Sequence, residues 1–163
     1  MLMNKKYEKF LPSYQDSKNT ETFPYFWVTQ VYAQYVHQLE KVLKKLGLNY
    51  SEGKFLHAIY THPHASISEL SERMISKMST TVKILQRLKS DGLIETYPCK
   101  NDARITRVYL TEKGQKTVQK ATELTSALLE DSFSGLTPLQ IDKLIMNLKT
   151  LFHNLAPEMR YQS

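Results

Sequence analysis

Between Pro24 and Leu46 the apolar residues Trp27, Val28, Val31, Tyr35, Leu39, Val42, Leu43 and Leu46 fall mostly three or four apart. They mark one stripe of a helix about six turns long. Lys44 and Lys45 lie in its last turn, where cations suit the helix dipole, and Gly47 supplies a stop. A second helix fits Ser51 to Thr61, with Ser51 as its cap and Phe55, Leu56, Ile59 and Tyr60 on its apolar side; Pro63 ends it. Ser66 and Glu69 have the spacing of a capping box and open a short helix carrying Leu70 and Met74. After a break over 75–77 a fourth helix runs from Met78 to Ser90, its inward stripe Thr81, Ile84, Leu85 and Leu88, and Asp91-Gly92 closes it.

The period then changes. Two strands flank the polar loop KNDAR, and on the second Val108 and Leu110 face inward while Arg107 and Tyr109 face out. Thr111 caps a fifth helix reaching about Ser132, with Val118, Ala121, Leu124, Leu128 and Leu129 on one side. Thr137-Pro138-Leu139-Gln140 is a helix start with cap, first-turn proline and closing glutamine. The last helix repeats Ile141, Leu144, Ile145, Leu148, Leu151, Phe152 and Leu155. This order predicts a mainly α (α+β) fold, a winged helix-turn-helix over 51–110, preceded by a polar arm at 1–22. The long helices over 23–50 and 111–163 exceed what so small a module can bury. Their surplus stripes are expected to meet those of a second copy, making a dimerisation region.

The 163 residues are 41% hydrophobic, enough for a core. No apolar run approaches the ~20 residues that span a bilayer, and the first residues lack the apolar stretch of a signal peptide, so no membrane partner and a cytoplasmic setting are expected. The one cysteine, Cys99, excludes an internal disulfide and reads as an ordinary exposed thiol, with Lys100 alone nearby to favour a thiolate. His62-Pro-His64 invites a metal reading. Two loop histidines with no cysteine or carboxylate cluster beside them make a poor site, so no metal or other cofactor is expected.

Charge sharpens the picture. Of a net +6, five units lie between Arg73 and Arg107, where eight basic residues face three acidic ones. That concentration in about one fifth of the chain implies an anionic partner, nucleic acid foremost. An enzyme is disfavoured: there is no Gly-rich phosphate loop, no paired catalytic carboxylates, and no nucleophile with a base at suggestive spacing.

From Gly47 to Gly114 the sequence resembles the MarR family of bacterial winged-helix regulators. The matching residues are GLN at 47–49, ISELSERM at 67–74, LQRLKSDGLIE at 85–95 and DARITRVYLTEKG at 102–114. It departs from the family pattern at Ile75, where a glycine is frequent, at Ser76, usually apolar, and at Tyr97, often basic. The resemblance implies a homodimeric repressor of a pseudo-palindromic double-stranded DNA operator. It also implies that small anionic, often phenolic, compounds lower DNA affinity by changing the spacing of the two reading heads.

On that basis the fourth helix is expected in the major groove, with Lys77, Met78, Ser79, Thr80 and Lys83 leading. Serine and threonine reach phosphates or bases, lysine reaches guanine acceptors, and Met78 suits a thymine methyl. In the wing, Arg104 is the residue for the minor groove, Asp102 holds its guanidinium, and Lys100 and Arg107 add charge. For the effector, Trp27, Gln30 and Gln34 share one side of the first helix, with His57 and Arg87 as further donors. An aromatic wall with amide, imidazole and guanidinium groups suits a hydroxycinnamate- or benzoate-like acid. A metal- or redox-responsive regulator of the same fold, and a non-specific DNA-compacting protein, are the alternatives.

Overall fold

The computed structural model describes residues 5–11 and 20–156. Its principal elements are α1 (Pro24–Leu43), α2 (Tyr50–Thr61), α3 (Ile67–Arg73), α4 (Met78–Ser90), β1 (Ile94–Pro98), β2 (Thr106–Leu110), α5 (Glu112–Ser132) and α6 (Pro138–Leu155). The arm contributes 3₁₀ turns at Lys5–Phe10 and Thr20–Thr22; the rest of it, and the chain after residue 156, lie outside the described residues. Two units emerge, residues 1–122 and 123–163.

In the first unit α1 ends sooner than its stripe predicts. The α-helix stops at Leu43, and Lys44–Leu46 tighten into one 3₁₀ turn before Gly47, whose φ of +73° is the left-handed conformation that closes helices. The cap of α2 is Asn49 rather than Ser51. The Asn49 side chain accepts the Glu52 amide at 2.9 Å, and the Glu52 carboxylate accepts the Asn49 amide at 2.9 Å. Both residues are good caps, and tertiary structure chooses between them: Glu52 is buried, and its other oxygen lies 3.0 Å from Nε of Arg87 on α4.

The capping box at α3 forms as expected. Glu69 accepts the Ser66 amide at 2.7 Å and returns its own amide to Ser66 Oγ at 3.2 Å. The amide of Ser66 holds the Glu69 carboxyl below its ordinary range. In the turn to α4, Ile75 takes φ +49°, a conformation costing a β-branched L-residue about 1–2 kcal/mol. The turn is pinned around it: the Ser76 amide reaches Ser71 O at 3.0 Å and Ser71 Oγ reaches Ser76 O at 2.7 Å.

Strands β1 and β2 pair antiparallel, with Ile94 opposite Leu110 and Thr96 opposite Val108. Val108 and Leu110 are buried and Tyr109 is exposed, as the alternation predicts. The segment before α3 adds a further rung that the sequence pattern did not signal: Ser66 bridges Arg107, and the Val108 amide reaches Ala65 O at 3.0 Å. At the start of α5 Thr111 Oγ1 accepts the Gly114 amide at 3.0 Å and donates to Gly92 O at 2.7 Å. Gly114 is required here because a Cβ would run into the Leu93 carbonyl. Leu56, Ile59, Leu70, Leu88, Ile94 and Val108 form the fully buried centre.

The second unit comprises the end of α5 and helix α6. Thr137 caps α6 with Pro138 and Gln140 in the expected places. No α6 residue is buried in the isolated chain, and Leu139, Met146 and Leu155 stand well out in solvent. No helix among the described residues is long and apolar enough to cross a membrane.

The fully buried centre also holds one polar residue. Thr81 is fully buried on α4, and its hydroxyl has no hydrogen-bond partner among the described residues. A buried, unpaired hydroxyl destabilises by about 1–3 kcal/mol, and a methyl of the same shape removes that penalty. Thr81→Val is therefore expected to raise stability by about 1 kcal/mol or more. Urea denaturation checks this as a higher midpoint at unchanged slope.

Candidate nucleic-acid interface

Helix α4 presents two unlike faces. Thr81, Leu85 and Leu88 are buried and Ile84 is half-buried, whereas Lys77, Met78, Ser79, Thr80 and Lys83 are all exposed near its N-terminal end. Lys77 is the cap residue, and no side chain closes the first turn. The positive end of the helix dipole is therefore left without a side-chain cap, beside the exposed Lys77.

The wing tip is stiffened by one ion pair. Asp102 accepts from Arg104 Nε at 3.0 Å, from Nη2 at 2.9 Å and from the Arg104 amide at 3.0 Å. These bonds hold the Asp102 carboxyl below its ordinary range and raise the Arg104 guanidinium. The Arg104 side chain is nonetheless 91% exposed. Two parallel bonds fix its direction without covering it.

Lys100 is exposed on the same loop, but Arg107 is partly enclosed. Its Nη1 donates to His64 O at 2.8 Å, tying β2 to the segment before α3. His64 has φ +64°, and its Nδ1 lies 3.1 Å from the Tyr97 hydroxyl. The rings of His64, Tyr97 and Tyr109 pack together with centroids 5.9–6.0 Å apart. Tyr97 thus serves as a brace for the wing. His62 Nδ1 is engaged separately, 2.9 Å from Thr61 Oγ1.

Arg107 also faces Cys99, whose surroundings differ from the sequence expectation. The Arg107 guanidinium, then the amides of Asn101 and Asp102, pull the Cys99 thiol below its ordinary pKa. Lys100 is not among the causes. The amides converge on the sulfur only after the wing loop has folded, so residue spacing carried no sign of them.

The predicted effector residues are placed as follows. Trp27, Gln30 and Gln34 are exposed on α1 and His57 is exposed on α2. Trp27 Nε1 donates to Glu21 O at 2.8 Å, fastening the turn before α1. Arg87 pairs with Glu52 and lies 3.8 Å from Asp91, so its guanidinium already has a structural task. A pocket of about 460 Å³ is lined by Leu46, Glu112, Lys113, Lys116, Thr117 and Lys120, none of them in the predicted set. Between α1 and α2 the sequence reading also missed a phenol cluster. Tyr32 and Tyr35 both set their rings edge-on to Tyr50 at about 6 Å. Burial, then the neighbouring Tyr32, pushes the Tyr50 hydroxyl up to about 12. The i, i+3 spacing of Tyr32 and Tyr35 was a usable signal; the part of Tyr50 was not.

The MarR family model matches residues 48–106. The HTH-type transcriptional repressor IacR of Pseudomonas putida is 38% identical over 140 residues, 86% of this chain and 84% of the relative. The HTH-type transcriptional regulator Hpr of Geobacillus thermodenitrificans is 28% identical over 135 residues, 76% of this chain and 68% of its own. Among solved structures, the S. aureus MepR–DNA complex superposes with a TM-score of 0.76 at 17% identity, covering 83% of this chain and 99% of that one. An E. coli MarR mutant complexed with operator DNA gives 0.74 at 23% identity, covering 83% and 98%. At such identities these two structures speak for the fold.

The surroundings of Cys99 are open to a direct check. Its thiol should react with iodoacetamide at lower pH than a free cysteine, because the thiolate is the nucleophile. Arg107→Ala removes the largest cause, so its alkylation–pH profile should move to higher pH. Identical profiles for the two proteins would contradict the role assigned to Arg107.

Proposed function

Because this chain belongs to the MarR family of DNA-binding transcriptional regulators, we propose that it acts in the cytoplasm as a homodimeric repressor of a pseudo-palindromic operator. The observation that carries the reading is Arg104, held in a bidentate grip by Asp102 and exposed at the wing tip. A guanidinium fixed in direction and free of cover suits the negative potential of a narrow minor groove. Helix α4 lies in the major groove, with Lys77, Met78, Ser79, Thr80 and Lys83 toward bases and phosphates. Lys100 adds a phosphate contact, and Arg107 acts mainly by fixing the wing.

The homodimer is supported by apolar surface that the single chain leaves uncovered. Val31, Tyr32 and Tyr35 on α1, and Leu139, Ile145, Leu148 and Leu155 on α6, are exposed. So much exposed apolar side chain calls for a partner, and two-fold symmetry lets one surface serve both copies. Two reading heads then match two half-sites.

Release follows binding of a small anionic aromatic acid, hydroxycinnamate- or benzoate-like, near Trp27, Gln30, Gln34 and His57. Arg87 contributes to it only where its bond to Glu52 leaves donors open. A redox-responsive regulator of the same fold is the second reading, favoured by the lowered thiol pKa of Cys99.

Arg104→Ala is expected to weaken binding to the selected operator about ten-fold at physiological salt and to reduce the salt slope by about one. Melting temperature and dimer mass should stay unchanged, because the side chain stands in solvent. Undiminished binding in a gel-shift titration would remove Arg104 from the interface. A second experiment separates the two release chemistries: benzoates and hydroxycinnamates, then peroxide, are added to the protein–DNA complex. Release by the acids in both wild type and Cys99→Ser supports the effector reading. Release by peroxide alone, lost in Cys99→Ser, replaces it with the redox reading.

A further inference from the structure

Ile75 combines two features that the fold itself does not use. It is 70% exposed, so its side chain adds little to the core, and it holds a left-handed backbone (φ +49°) that a glycine would adopt without strain. The turn is locked by the bonds between Ser71 and Ser76, with the Ile75 amide on Glu72 O at 3.0 Å, so the side chain has a fixed exit direction. Three residues on, Met78 opens α4 with 46% exposure. Arg73 and Lys77, two residues to either side of Ile75 in the chain, are exposed as well. Two exposed apolar side chains flanked by basic residues, at the N-terminal end of the reading helix, have a defined chemical counterpart on DNA. The apolar group on base edges in the major groove is the thymine C5-methyl.

We infer that Ile75 is a specificity-determining residue, packing its side chain on a thymine methyl at the edge of each half-site. Strain retained at an exposed position commonly marks function, and here an aliphatic side chain is held where the backbone favours none. This rests on α4 being the DNA-reading helix, as proposed above. It adds a base preference from outside that helix, at a position where glycine would read nothing.

The test uses the full chain and a duplex it selects from a randomised pool. Each thymine of that duplex is replaced singly by deoxyuridine, which removes the methyl and keeps every hydrogen-bonding group. Wild type is expected to lose about four-fold in affinity at one thymine per half-site, the effect of one buried methyl. Ile75→Gly and Ile75→Ala lose the contact at both half-sites, so they should bind the unmodified duplex about fifteen-fold more weakly and be insensitive to that replacement. Ile75→Gly should also melt at a higher temperature, so its weaker binding cannot come from unfolding. Variants that keep the wild-type methyl sensitivity, or bind the unmodified duplex as tightly as wild type, overturn the inference. So does an equal loss on every duplex, random sequence included, which would mean a sugar or phosphate contact. If these variants fail while Arg104→Ala weakens binding as expected, only the role of Ile75 falls; if no duplex is selected, both readings fall.

Discussion

Glu52 is the constraint around which the reading head is arranged. It is a carboxylate in the interior of a small module, and each oxygen has a donor: the Asn49 amide on one side and Arg87 on the other. A buried charge stripped of its partners would be strongly destabilising, so the three groups have to form together. Once they do, the start of α2 and the last turn of α4 are fixed relative to each other. The direction of α4 decides which residues face solvent. The exposed row from Lys77 to Lys83 thus depends on an ion pair further along the same helix.

The wing is held by a second set of long-range bonds. Arg107 to His64 O, the Ser66 bridge and the His64–Tyr97–Tyr109 ring cluster join the hairpin to the segment before α3. The wing tip therefore moves with the reading head. Asp102 then orients Arg104 on that platform through contacts within three residues of sequence. Local and distant bonds divide the work: the local ones aim a side chain, and the distant ones hold the body that carries it.

What was legible in the sequence follows the same division. Ser66–Glu69, Thr137–Gln140 and Asp102–Arg104 were readable because their partners are two or three residues apart. Helix α4 and the inward residues of β2 were readable because periodicity reports burial. Ser51 was the expected cap of α2, and the cap that forms, Asn49, shares Glu52 with a residue 38 positions beyond it, Arg87. The environment of Cys99 was hidden for a similar reason, since amides from the folded loop and the guanidinium of Arg107 meet only in three dimensions. Ile75 was visible as a departure, but its left-handed backbone was not. Tyr50 and its two partners joined across α1 and α2 with no pattern linking them.

The junction at Gly114 has a mechanical meaning. Helix α5 starts against the Leu93 carbonyl with no clearance for even one carbon, while Thr111 clasps Gly92 and its amide reaches Leu93 O at 3.1 Å. Such a joint has no slack. Within the first unit α5 runs on as far as Thr122, roughly 16 Å at 1.5 Å per residue. On an arm of that length, a tilt of about five degrees at the base moves the far end by about 1.4 Å. Run in reverse, a displacement of about an ångström there becomes a slight turn of the wing, delivered without backlash.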